Sequence, residues 1–286
     1  MMRRPIGRRQ LGSELRRLRI EAKRQQREMA EVIECDASQI SKVERGERTL
    51  KALELNALLD FLKVRGDKRD EMLALGEEAR KRQPRKTYSD ILSGTFRRLG
   101  DLEEDASEIY CFADQLIPGL LQIPDYIRAL VTDSIYRTNA PVEAEMEARI
   151  TFRLDRQRVL ELENRISFLI GESALLRPVG GPAVLRRQLL HVLGVIDGKP
   201  WITVRVVPLT LGVHPLLGGA LSVFRFCPGV DDVVHQSTVF GGGVYLDEVN
   251  ETRECLRAFK NCRERALGPA ETRRLLLRRV RELAPG

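Results

Sequence analysis

The chain has 286 residues, 43% of them hydrophobic, with 48 Lys+Arg against 41 Asp+Glu. That length accommodates two domains with a sizeable core. The absence of any run of about eighteen apolar residues excludes a membrane-spanning helix, and five scattered cysteines without a Cys-x-x-Cys pair argue against a disulfide framework or zinc site.

The basic N-terminus lacks the apolar core of a signal peptide, so a reducing cytoplasm, close to the nucleoid, is the expected compartment. The charge is uneven. Residues 1–87 hold 23 Lys+Arg against 15 Asp+Glu, and residues 88–286 hold 25 against 26. A basic excess confined to one end is the footprint of a polyanion-binding module.

Residues 1–9, with four arginines and a Pro, read as a flexible arm suited to a phosphate backbone or a minor groove. Leu11 to Lys23 reads as the first helix, with Leu11, Leu15, Leu18 and Ala22 as its apolar stripe. From Gln25 to Arg48 two short helices flank a tight turn. Met29, Ala30, Val32 and Ile33 mark the first, Cys35 the turn and Asp36 an N-cap. In the second, Ile40 and Val43 face inward while Ala37, Ser38, Gln39, Ser41 and Lys42 face outward, and Gly46 closes it. Thr49 to Leu62 follows, with Leu50, Leu53, Leu55, Leu58, Leu59 and Leu62 packing back. Asp67 to Arg82 is the fifth helix, with Met72, Leu73, Leu75 and Ala79 inward. Lys81–Lys86, broken by Pro84, reads as a linker.

The Gln25–Arg48 stretch closely resembles the Xre-type, lambda-repressor-like family. Its marks are Gln26, Ala30, Ile33 and the run ISKVERG from Ile40 to Gly46. The resemblance implies that Asp36–Glu44 enters the DNA major groove, its N-terminal residues meeting base edges. Ala37, Ser38, Gln39, Ser41 and Lys42 are then the base-contacting candidates, with Lys42 able to donate to guanine. Gln26, Arg24, Arg27, Arg45 and Arg48 are the phosphate-contacting candidates. One position departs from the pattern: Glu34 stands where the family usually has Gly, which places a non-Gly residue at positive φ and implies a slightly different turn.

After Thr87 strands alternate with helices. Strands are expected at Glu108–Ala113, Arg165–Ile170, Trp201–Val207, Ala220–Phe226 and Val233–Phe240. Helices are expected at Ile91–Leu102, Asp125–Val131, Val142–Leu162, Pro182–Ile196, Glu248–Ala266 and Pro269–Leu283. The fold class is therefore multi-domain: an all-α five-helix domain over residues 1–82, a linker at 83–87, and an α/β domain over 88–286 on a mixed sheet of four to six strands. The second part resembles the C-terminal domain of unknown function carried by actinobacterial Xre-type regulators. The resemblance rests on PGLLQ at Pro118–Gln122 with Tyr126, RLDRQ at Arg153–Gln157, GESALLRPVGG at Gly171–Gly181 and VVPLTLGVHP at Val206–Pro215. In such families a very small protein encoded nearby is a frequent partner, an arrangement likened to toxin–antitoxin pairs.

Signals for catalysis are weak. His191, His214 and His235 have no metal-ligand spacing, no Gly-x-Ser-x-Gly elbow exists, and Gly241–Gly243 lacks the Lys–Ser/Thr of a phosphate loop. The later strands are similar in outline to half of a phospholipase-D-like domain, but no His has Lys two residues on. No cofactor, no metal and no enzymatic role are expected. Gln122, Tyr126, Arg153, Gln157, Glu172 and His214 are candidates for a ligand or partner pocket, against the plainer alternative of ion pairs that hold helix to sheet. The leading reading is a homodimeric, sequence-specific transcriptional regulator whose C-terminal domain senses an effector or small protein. The alternative is an antitoxin-like interaction protein that binds a small neighbouring-gene product and only autoregulates.

Overall fold

Leucines at helical spacing build the N-terminal unit. In the computed structural model, which describes residues 6–80, 94–133, 143–237 and 243–284, five helices are α1 (Ile6–Glu21), α2 (Gln26–Val32), α3 (Ala37–Glu44), α4 (Ala52–Phe61) and α5 (Gly66–Arg80). Leu11 and Leu15 of α1, Met29 and Ala30 of α2, and Ile40 and Val43 of α3 bury into one core. Leu55, Leu58 and Leu59 of α4 and Met72 and Ala79 of α5 complete it. Three expectations are corrected here. Ile6–Arg9 is helical rather than part of a flexible arm, because the first helix starts five residues earlier than its apolar stripe. Ala22 is exposed, since α1 ends at Glu21 and the stripe does not continue past it. Leu53 is 84% exposed: it lies in the first turn of α4, off the face that carries Leu55, Leu58 and Leu59. Residues 1–5 and the expected linker lie outside the described residues.

α1 to α4 end in the same way. Arg24 N–H donates to Arg19 O at 2.9 Å and Lys23 N–H to Ile20 O at 2.9 Å. The matching pairs are Cys35 to Ala30 and Glu34 to Glu31, Glu47 to Lys42 and Gly46 to Val43, and Val64 to Leu59 and Lys63 to Asp60. Each set is a Schellman closure, which needs one residue in the left-handed region. Those residues are Lys23, Glu34, Gly46 and Lys63, with φ of 53°, 52°, 69° and 58°. The turn between α2 and α3 therefore closes as the other three do, with Glu34 taking the left-handed conformation that Gly46 takes after α3.

The second unit is built on a six-stranded sheet in the order β3-β2-β1-β4-β5-β6. Its strands are β1 (Glu108–Ala113), β2 (Arg165–Gly171), β3 (Ile202–Val207), β4 (Ala220–Arg225), β5 (Val233–Ser237) and β6 (Gly243–Leu246). β1, β2 and β3 are parallel; β4, β5 and β6 continue as an antiparallel meander. Parallel neighbours need long crossovers. These are supplied by α7 (Pro124–Asp133) and α8 (Glu143–Arg156) between β1 and β2, and by α9 (Glu172–Leu176) and α10 (Pro182–Gly198) between β2 and β3. The interior strand β2, RISFLIG, is buried from Ile166 to Gly171, as a two-faced strand must be. α6 (Gly94–Asp105) precedes the sheet, and α11 (Val249–Arg265) and α12 (Pro269–Glu282) follow it. Phe259 and Cys262 of α11 pack with Tyr110, Phe112, Val223 and Val234 on one sheet face.

The expected single helix Val142–Leu162 is α8 followed by a 3-10 turn at Gln157–Glu161; Val142 lies outside the described residues. β6 was not expected, because four residues after a glycine run leave too short a period to read. Residues 91–93 of one expected helix and 238–240 of the fifth expected strand also lie outside the described residues.

Candidate nucleic-acid interface

α3 carries one buried line and one exposed line. Ile40 and Val43 are buried, whereas Ala37, Ser38 and Lys42 are exposed and Gln39 and Ser41 half-exposed. Asp36 stands at the N-cap with extended φ and ψ, as expected, but its carboxylate makes no capping bond. The carboxylate is exposed. The Lys42 ammonium forms no ion pair among the described residues. Ser41 Oγ accepts from Arg45 Nη1 at 2.8 Å, so its hydroxyl is tethered one turn along the helix.

A buried ionic cluster fixes where α3 sits. Glu44 is 8% exposed. Its carboxylate accepts from Arg19 Nε and Nη2 at 2.5 and 3.1 Å and from Gln26 Nε2 at 2.7 Å. α1, the start of α2 and the end of α3 are thus joined through one carboxylate. A buried charge is tolerated only when paired and hydrogen-bonded, and Glu44 is both. Gly12 adds a steric condition. A Cβ there would meet the Val43 carbonyl and lie 2.6 Å from the Glu44 carbonyl. Only glycine lets α1 approach the C-terminus of α3 this closely.

The expected phosphate-contacting residues are engaged with carboxylates. Arg24 pairs with Glu28 at 2.8 Å, Arg27 with Glu31 at 3.5 Å, Arg45 with Glu47 at 3.3 Å and Arg48 with Glu54 at 2.8 Å. Gln26 turns its amide to Glu44. Glu28 also accepts from the Gln25 N–H at 2.7 Å. That bond, with the Arg24 guanidinium beside it, holds the Glu28 carboxyl below its usual range. The Arg24, Arg27 and Arg45 pairs are exposed and contribute at most about 1 kcal/mol each, so a phosphate can displace them, whereas the Arg48–Glu54 pair is largely buried.

In the second unit, four of the six pocket candidates brace one loop. Gln122 Nε2 donates to Ile117 O at 2.7 Å, and its Oε1 accepts from Arg153 Nη1 at 3.1 Å. Gln157 Nε2 donates to Gln122 O at 2.5 Å, and Tyr126 Oη accepts from Ile117 N–H at 3.3 Å. Gln188, which the sequence analysis missed, completes the brace through Ile123 N–H and Leu121 O. Its signal was a polar residue at Gln188 on the buried line of Leu185 and Leu189. The remaining two candidates stand apart. Glu172 accepts from Leu209 N–H at 2.9 Å and does not pair with Arg177, which donates to Gln115. His214 Nδ1 accepts from Leu216 N–H at 3.2 Å, with Cys262 Sγ at 3.7 Å and the Phe112 ring edge-on. The six residues therefore do not form one pocket; they hold the loops that follow β1, β2 and β3.

Residues 96–278 match the family described as Domain of unknown function (DUF5753), and residues 10–72 match the family described as Helix-turn-helix domain. The chain belongs to the DUF5753 family. No curated protein and no solved structure matches it. The Helix-turn-helix match begins within α1, spans α2 to α4 and reaches into α5, so the surface built around α3 is a helix-turn-helix surface.

The DUF5753 span contains a polar seam that the sequence analysis did not read. Register places Cys111, Ser222, His235 and Tyr245 side by side across β1, β4, β5 and β6. Burial pushes the Cys111 thiol up to about 11 and the His235 imidazole down to about 4, with Arg156 and Arg98 adding to the latter. Burial also raises the Tyr245 phenol, over which the Arg98 guanidinium lies at 4.1 Å. Arg156 is held by a two-bond pair with Glu103, 2.6 Å at each bond, both side chains nearly inaccessible. No group of His, Cys, Asp and Glu among the described residues is arranged to hold a metal. No helix among them is long and apolar enough to cross a membrane.

Proposed function

We propose that the chain is a sequence-specific DNA-binding transcriptional regulator of the Xre type, acting in the cytoplasm as a homodimer and without catalysis. The observation that carries this reading is α3 itself. It presents Ala37, Ser38 and the Lys42 ammonium, which has no ion pair among the described residues, on the side away from Ile40 and Val43, with Gln39 and Ser41 half-exposed at its edges. In a helix-turn-helix, that side is the one laid into the major groove. One cation and small side chains discriminate poorly, since each good bidentate base contact is worth roughly 1–3 kcal/mol. A second copy on an inverted repeat, with half-sites about one helical turn apart, supplies the missing discrimination. The DUF5753 unit is then the part that takes a signal, from a small ligand or a small protein partner, and that supports dimer formation.

Fluorescence anisotropy with labelled DNA from the chain's own upstream region, set against a scrambled duplex at two salt concentrations, tests the reading. Preference for the upstream DNA by about a hundredfold or more, kept at the higher salt, is the expected result. Equal, salt-sensitive binding to both duplexes would leave only a non-specific basic module.

A further inference from the structure

The charge of the second unit is segregated along the chain. Residues 88–248 hold 15 Lys+Arg against 21 Asp+Glu, whereas residues 249–286 hold 10 against 5. The excess lies on α11 and α12. α11 buries Thr252, Phe259 and Cys262, and α12 buries Thr272, Leu276 and Val280. On the opposite side of each helix, spacings of four and three residues align cations into a stripe. The stripes are Arg253, Arg257 and Lys260 on α11, and Arg274, Arg278 and Arg281 on α12, all exposed. Among the described residues, only Arg278 of these six has a carboxylate in ion-pair range, Glu282 at 3.8 Å. Cations that hold the fold look different: Arg273 pairs with Asp197 at 3.0 Å, and Arg205 donates to Arg263 O at 3.1 Å.

The outward lines also lack an apolar anchor. Among the described residues of α11 and α12, the one exposed large hydrophobic is Val249, at the start of α11 and ahead of Arg253. Protein interfaces centre on buried apolar and aromatic groups. A phosphate backbone needs none and is met by Lys and Arg alone. Each stripe runs about 10 Å along its helix, which is about three nucleotide steps of one DNA strand.

We propose that the outward faces of α11 and α12 form a second, sequence-independent contact surface for the phosphate backbone of duplex DNA. This rests on the DNA-binding reading above and assigns the C-terminal unit a direct share of it. α3 supplies sequence preference, while the stripes supply affinity that falls with salt.

The test uses the full chain and a labelled random-sequence duplex, titrated across a salt series. Two triple variants remove the stripes: R253Q/R257Q/K260Q and R274Q/R278Q/R281Q. Each lost phosphate contact lowers the slope of log affinity against log salt by about 0.9. The slope should therefore flatten by about one to three units in each variant, with binding at least about tenfold weaker at low salt. Preference for the upstream duplex over the scrambled one should persist. The charge-retaining variants R253K/R257K and R274K/R278K/R281K should keep the wild-type slope, which separates charge loss from misfolding. Wild-type slopes in both glutamine variants would overturn the proposal while leaving the role of α3 intact. A wild-type chain that binds no duplex at low salt would overturn both. Conversely, Gln39→Ala/Lys42→Ala should abolish sequence preference yet leave the random-duplex slope nearly unchanged, and a slope collapse in that variant also counts against the stripes.

Discussion

Glu44 shows how one side chain ties the reading surface to the fold. It belongs to the ISKVERG run, where it stands at i+4 from Ile40 on the inward line of α3, an unusual place for a charge. In the structure its carboxylate is buried and held by Arg19 and Gln26. Arg19→Ala should leave that charge buried and unpaired, lowering stability by about 3–5 kcal/mol. Urea unfolding checks this, and a loss under about 1 kcal/mol would mean that water reaches Glu44. Glu34 makes the opposite case. A non-Gly residue in the left-handed region costs about 1–2 kcal/mol, against about 0.5–1 kcal/mol for the added chain freedom of Gly. Glu34→Gly should therefore raise stability by up to about 1 kcal/mol, with Lys23→Gly and Lys63→Gly behaving alike, read from the urea midpoint at constant slope. His235 carries a pH signature. Its folded-state pKa, about 4, lies below the ordinary 6.5, so the unfolded chain binds the proton first. The stability it contributes is complete above pH 6.5 and is lost as pH falls towards 4, by about 3 kcal/mol in all. His235→Asn should flatten unfolding free energy against pH across that window; an unchanged profile would assign the acid sensitivity elsewhere.

Elements meet through a few close approaches. α1 reaches the end of α3 because Gly12 has no side chain, and α3 is thereby set against the core line of Leu11 and Leu15. Gly12→Val should push α3 off its position. DNA affinity should fall at least about tenfold while helix content, followed by circular dichroism, stays near wild type. Full affinity in that variant would show that α3 tolerates the shift. In the second unit, β2 is buried on both faces, and the loops after β1, β2 and β3 are braced by Gln122, Gln157, Gln188 and Glu172. Most strands were legible as short β-branched runs between Gly, Pro and Asp. β6 was not, since Gly243–Leu246 is too short for a period to emerge and is recruited by pairing with β5.

At the scale of the whole molecule, the chain forms two compact units. The charge imbalance between residues 1–87 and 88–286 pointed to the N-terminal unit as the polyanion binder, and the Helix-turn-helix match agrees. Dimeric binding to an inverted repeat should appear as two chains per duplex in a stoichiometric titration; one chain per duplex at saturation would count against it. Composition and local pattern determined the helix-turn-helix, most helices and strands, and the mixed α/β class, because period, capping and turn residues act within a few positions of one another. The tertiary structure alone decided that Glu44 meets Arg19 and Gln26, that Leu53 is exposed, that four of the six pocket candidates brace one loop while Glu172 and His214 stand apart, and that Cys111, Ser222, His235 and Tyr245 share one seam. Each of these depends on which distant residue comes opposite, and register and helix approach are set by long-range packing that no local period encodes.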